Sequence, residues 1–140
     1  MHAQQVAEIG GGRPARILVV EDDDDLRLAL AELLEQEGFH VWEASNGNKA
    51  LALLKTTVHP DVVVLDYRMP GLDGGEVYER LRAQGLDIPV VLITAAASAR
   101  SLARRHHISH FLGKPFSVED LLVVIRSAAL QSGRASVGTG

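Results

Sequence analysis

Residues 61–74 read DVVVLDYRMPGLDG. Val62 to Leu65 run without a polar break, the pattern of a strand covered on both faces. One acid, Asp66, follows directly, and Pro70, Gly71 and Gly74 force the chain to turn soon after it. A carboxylate at the end of a buried strand is costly unless it is paired or put to use. The rest of the chain decides which.

Working outward, RILVV (16–20) and VVLI (90–93) are apolar runs of the same kind. FHVWE (39–43) alternates as a half-buried strand does, and residues 110–112 suit a short last strand. Helical spacing separates them. Leu26, Leu30, Leu33 and Leu34 form one stripe, ended at Gly38. Ala50, Leu51 and Leu54 form a second, after the turn at Ser45-Asn46-Gly47. Asp73 and Glu76 are spaced as an N-cap and its partner three residues on, so a helix burying Val77 and Leu81 is expected from Gly74. A short helix is expected over 98–106. A last one is expected after Ser117, with Val118, Leu121, Leu122 and Ile125 inward. Five strands alternating with five helices, at crossover spacing, predict an α/β fold with a parallel sheet covered on both faces.

The 140 residues suit one domain, and 46% apolar content supplies a core. Residues 1–14, with Gly10-Gly11-Gly12, read as a flexible leader, 15–130 as the domain, and 131–140 as a flexible tail. A net charge of −4 gives no footprint for nucleic acid. Cysteine is absent, which excludes disulfides and thiol chemistry. Apolar runs fall far short of the ~20 residues of a membrane span. The N-terminus lacks the basic and hydrophobic blocks of a signal peptide. A cytoplasmic domain without membrane contact is expected.

In open parallel sheets, ligands gather at the carboxyl ends of the strands. Here those ends carry Glu21, Asp22 and Asp23 after the first strand, Asp66 after the third, Thr94 after the fourth and Lys114 after the fifth. Clustered carboxylates repel unless a cation joins them, and an oxygen-only set that leaves room for water favours magnesium. Thr94 and Lys114 are then free for phosphate oxygens. Asp66, at the centre, is the natural nucleophile for forming an acyl phosphate.

Four motifs carry a resemblance: VVED (19–22), LDYRMPGLDG (65–74), ITA (93–95) and FLGKPF (111–116). In this order and at these separations, the chain from about 15 to 130 resembles the receiver domain of two-component response regulators. The resemblance implies a flavodoxin-like, doubly wound five-stranded sheet in the order 2-1-3-4-5. It implies that Asp66 accepts a phosphoryl group from a histidine kinase or phosphotransfer protein, and that the chain is an acceptor, not a turnover enzyme. Magnesium is implied on Asp22, Asp66 and the backbone carbonyl of Arg68, with Glu21 acting mainly through metal-bound water. Lys114 is implied to contact the phosphoryl group, its bond to Pro115 being cis. Thr94 and Phe111 are implied to switch, rearranging the surface of helix four, strand five and helix five for a downstream protein.

Several positions depart from the family pattern. Glu21 stands for the commoner aspartate. Arg68 and Ala96 occupy positions that influence phosphoryl lifetime. His107 and Ile108 replace a frequent Gly-Ala, and the segment from Thr94 to Lys114 is about two residues short. Residues 95–109 are therefore expected to be the least ordered part of the domain. The main alternative is a degenerate receiver that binds protein without phosphorylation.

Other readings fail on particular residues. A dehalogenase-type phosphatase needs an acid where Arg68 stands. A flavin module needs a hydroxyl-rich first turn, and here that turn is acidic. Gly113-Lys114 lacks the serine or threonine and the upstream glycine of a phosphate loop. His106 and His110 are four apart, but a helix-to-strand change is expected between them, so solvated or capping roles are expected. Arg100, Arg104 and Arg105 read as a solvated basic face. With the helical pattern ending near 130, no DNA-binding domain is expected, and output is expected to pass through another protein.

Overall fold

The structure, a computed structural model, describes residues 8–9 and 13–139. Among these, one parallel sheet holds β1 (Arg16–Val20), β2 (His40–Ala44), β3 (Val62–Asp66), β4 (Val90–Ala95) and β5 (His110–Lys114). The spatial order is β2-β1-β3-β4-β5, as the resemblance implies. Register is set by pairs such as Ile17 with Val62, Val63 with Val90 and Leu92 with Phe111.

Alternation along the strands builds two cores. Ile17, Val19, Val62, Val64, Val91 and Ile93 face α1 (Asp24–Gln36) and α5 (Val118–Thr139), meeting Leu30, Leu34, Leu121 and Ile125. Leu18, Val20, Val63 and Leu65 face the other way, against α2 (Gly47–Leu54) and α3 (Gly74–Ala83). Leu92 meets Leu102 and Ala103 of α4 (Ala96–Arg105). A slip of one residue on any central strand would exchange the two cores, so the apolar pattern fixes the register.

Local chemistry explains the helix ends. Asp23 caps α1 through the Leu26 amide, and Gly38 closes the turn after it at φ 98°. Asn46 caps α2 through the Lys49 amide. Asp73 and Glu76 form a reciprocal capping box on α3, as their spacing predicts. Ser117 accepts from the Asp120 amide at the start of α5.

Four details differ from expectation. α4 starts at Ala96, directly after β4 and with no side-chain cap, two residues earlier than expected. Gly113 permits this, because a Cβ there would lie 2.5 Å from the Ala96 Cα. α5 runs to Thr139, through the segment read as a tail; no proline follows Pro115, and a nucleated helix propagates easily. Val118, in the first turn of α5, is exposed rather than inward, while Leu121 and Ile125 are fully buried. In the leader, Glu8–Ile9 pairs antiparallel with Arg13–Pro14, and the remaining leader residues lie outside those described.

α4 closes on a histidine in the left-handed conformation. His107 takes φ 59°, a conformation that glycine adopts freely and histidine less readily. The amides of His107 and Ile108 reach back to the carbonyls of Arg104 and Ala103, satisfying two otherwise orphaned acceptors.

Candidate functional site

The sheet's topology brings the predicted residues together. Asp66 is the last residue of β3, and Glu21 follows β1 with its amide donating to the Ala44 carbonyl. Thr94 and Lys114 lie near the ends of β4 and β5. Glu21, Asp66 and Thr94 are all buried. One carboxylate oxygen each from Glu21, Asp22 and Asp66 lies within 4.8 Å of the others.

Lys114 bridges this group. Its Nζ lies 3.0 Å from Asp66 Oδ1 and 3.5 Å from Glu21 Oε1. The peptide bond to Pro115 is cis. Burial is the largest influence on Asp66 and pushes its carboxyl above the ordinary range. Lys114 pulls it back in part, and Asp22 pushes it further up. Glu21 is likewise raised by burial, opposed by the Asp23 amide that donates to its Oε2 at 3.1 Å, and raised again by Asp66. Burial pulls Lys114 down, but Asp66 and Glu21 outweigh it and hold the ammonium above its usual range. Three carboxylates thus face one ammonium, an excess of two negative charges in a half-closed site. The donors are all hard oxygens close enough to share one cation, so the set fits magnesium.

The turn after Asp66 is built to tight tolerance. The Gly74 amide donates to the Tyr67 carbonyl at 2.7 Å. A Cβ on Gly74 would sit 2.7 Å from the Asp66 carbonyl oxygen, so only glycine lets α3 begin this close to the acid. A cavity of about 600 Å³ opens over the site, lined by Asp66, Arg68, Thr94 and Lys114 and, on its apolar side, by Leu26 and Phe116. Thr94 Oγ1 is buried without a hydrogen-bond partner among the described residues, a hydroxyl held ready for an acceptor. Arg68 is exposed at the cavity's rim. Phe111 is half-buried on β5, with the Arg100 guanidinium carbon 5.6 Å from its ring centre.

The neighbouring acids serve the scaffold. Asp24 and Asp25 sit in the first turn of α1, where they suit its dipole. Arg27 ties that turn down, donating to the Glu21 carbonyl at 2.9 Å and pairing with Asp24 and Glu43. The histidines do not form a metal cluster with the acids: among the described residues, the carboxylate trio is the group that can hold an ion.

Sequence reasoning passed over Asp61, which is as buried as Asp66 but at the other end of β3. Arg13 donates to both its oxygens at 3.0 and 3.1 Å, and the Arg16 amide donates at 2.8 Å. Those partners lie 45 to 48 residues away, beyond any local pattern.

Known proteins share this chain's sequence pattern and fold. The family model for the response regulator receiver domain matches residues 17–126. Response regulator MprA of Mycolicibacterium vanbaalenii is 41% identical over 116 residues, covering 81% of this chain and 50% of that protein. Regulatory protein AtoC of Escherichia coli is 37% identical over 125 residues, 87% of this chain and 27% of that protein. The chain therefore spans half or less of these two relatives. A receiver domain of a Francisella response regulator superposes with a TM-score of 0.77 at 28% identity, covering 84% of this chain and 98% of the other. TrrA of Thermotoga maritima, solved in complex with Mg(2+)-BeF, superposes with a TM-score of 0.73 at 30% identity, covering 81% and 98%. No helix among the described residues is long and apolar enough to cross a membrane.

Proposed function

The chain belongs to the response regulator receiver domain family, and from that premise we propose that it is a phosphoryl acceptor working through Asp66. The observation that carries this reading is the under-compensated acid trio around Lys114. A carboxylate oxygen of Asp66 attacks the phosphorus of a phosphohistidine on a kinase or phosphotransfer protein. The P–N bond breaks, the imidazole leaves with the electron pair, and an aspartyl phosphate remains. The chain carries the group without turning over a substrate.

Glu21, Asp22, Asp66 and the Arg68 carbonyl would hold magnesium, which when bound offsets the negative charge gathering on the phosphoryl oxygens. Lys114 stays on the Asp66 side of the group and contacts one of its oxygens as a point charge. Thr94, whose hydroxyl lacks a partner among the described residues, donates to another. That movement clears space for Phe111 to leave its place beneath Arg100 and alters the α4, β5 and α5 surface offered to a downstream protein. The domain spans about 15 to 130.

The test is direct. Incubation with magnesium and acetyl phosphate, followed by intact mass, should yield a single phosphoryl adduct that EDTA prevents. A protein that stays unmodified with this donor and with a phosphorylated histidine kinase overturns the proposal in favour of a phosphorylation-independent binding module.

A further inference from the structure

The first turn of α3 carries two consecutive glycines with different neighbours. Gly74 lies against the Asp66–Tyr67 backbone. Gly75 lies against an imidazole: a Cβ there would be 2.4 Å from His106 Nε2 and 2.5 Å from its Cε1. His106 is the residue on which α4 ends. Its side chain is only 10% exposed, and its Nδ1 lies 2.8 Å from Glu79 Oε2, one turn further along α3. Its Nε2 is buried with no hydrogen-bond partner among the described residues. Its ring centre lies 6.1 Å from that of Tyr67, the residue after the acceptor.

We propose that His106, seated on Gly75, is a latch through which the first turn of α3 couples the state of Asp66 to the position of α4. The functional half of this inference rests on the receiver reading; the latch itself does not.

The site is a socket for a side chain of this chain and has no room for a ligand, since a single added methyl would meet the ring. The neighbouring anchors are weaker. Tyr78 Oη reaches the His107 carbonyl at 3.4 Å, and the N-terminus of α4 has no side-chain cap. The left-handed turn at His107 fixes how the chain leaves α4 and so helps aim His106 at α3. One rigid turn thus touches the acceptor backbone through Gly74 and the end of α4 through Gly75. Leu102 and Ala103 pack the body of α4 on Leu92, and the seated ring gives its C-terminal end two discrete arrangements, ring in or ring out. A change at Asp66 that shifts the α3 turn biases them. By linkage, loosening the latch lowers the cost of the displaced α4 and favours whatever ligand at Asp66 prefers it.

The test uses the whole chain as wild type, His106→Ala, Gly75→Ala and the double variant. Hydrogen exchange is followed by mass spectrometry without ligand. Binding of beryllofluoride with magnesium, a phosphoryl mimic, is measured by calorimetry. Each single variant should speed exchange of the α4 amides about tenfold while β1 and β3 keep their protection. The double variant should be far from additive, because both changes break one contact. Both single variants should bind beryllofluoride about threefold or more tightly.

Unchanged α4 exchange in His106→Ala overturns the latch, as does an additive double variant. Loss of protection in β1 and β3 on His106→Ala also overturns it, since a peripheral latch does not hold the core. Faster α4 exchange with unaltered beryllofluoride affinity leaves His106 a packing residue and overturns the coupling. A wild type that binds no beryllofluoride defeats the receiver reading and the coupling together, whereas the other outcomes bear on the latch or its coupling and leave the receiver reading standing.

Discussion

Asp61 and Asp66 stand at opposite ends of β3, and each is 5% exposed. Around Asp61 the protein has gathered the Arg13 guanidinium and the Arg16 amide and side chain. Burial pushes that carboxyl up, but these donors outweigh it and hold it below the usual carboxylate range. Around Asp66 there is one ammonium and two further acids, and the carboxyl stays above that range. Residue type and burial are alike, so the difference lies in compensation. The satisfied acid joins the N-terminal segment to the sheet. The unsatisfied one marks a place where charge remains to be supplied from outside, as functional sites do.

The largest expected contrast is in reactivity. Asp66→Asn should abolish the magnesium-dependent phosphoryl adduct, and Asp61→Asn should leave its extent unchanged, both read by intact mass. An adduct that survives in Asp66→Asn would erase the distinction between the two ends of β3.

Stability should separate them next, and with opposite sign. Asp61→Asn strips charge from a site with several donors and should cost about 1–3 kcal/mol in urea unfolding. Asp66→Asn removes one of three crowded carboxylates and should raise the thermal midpoint by a few degrees, roughly 1 kcal/mol for a chain of this size. Shifts of the same sign would show that burial, not compensation, governs both.

The pH dependence sharpens this further. The lowered carboxyl of Asp61 contributes stability above its unfolded value of about 3.9, lost as pH falls through its folded value. The raised carboxyl of Asp66 works the other way: stability is lost as pH rises from the unfolded value through the folded one. Relative to wild type, Asp61→Asn should therefore look least harmful at low pH, and Asp66→Asn most beneficial near neutrality, by thermal melts across the acid range.

The smallest effect should be that of magnesium. At concentrations near its dissociation constant it stabilises by a few tenths of a kcal/mol, growing with concentration. The midpoint should rise in wild type and Asp61→Asn and stay fixed in Asp66→Asn.

The same contrast explains what was legible in the sequence. Strands buried on both faces leave unbroken apolar runs, so β1, β3 and β4 and the parallel character of the sheet were readable, while the strand order came from the resemblance. In such a sheet the carboxyl ends of the strands converge, so the sequence alone places Glu21, Asp22, Asp66, Thr94 and Lys114 together. The αL residue at His107 was legible as an awkward substitute for glycine. Asp61 was not, because its partners come from residues 13 and 16, and nothing local marks them. Nor was the seat of His106 on Gly75, a fit between two elements about 30 positions apart whose only trace is one missing side chain. The run of α5 to Thr139 escaped because small polar residues signal a tail by composition, yet contain no proline to stop a helix.

The most direct measurement is to locate the phosphoryl group. After reaction with acetyl phosphate and magnesium, borohydride reduces an aspartyl phosphate to homoserine, which peptide mass spectrometry finds by position. Homoserine is expected at position 66, with unmodified aspartate at 61 and 22. Reduction at another acid, or none in a protein that carries the phosphoryl mass, would contradict the role of Asp66.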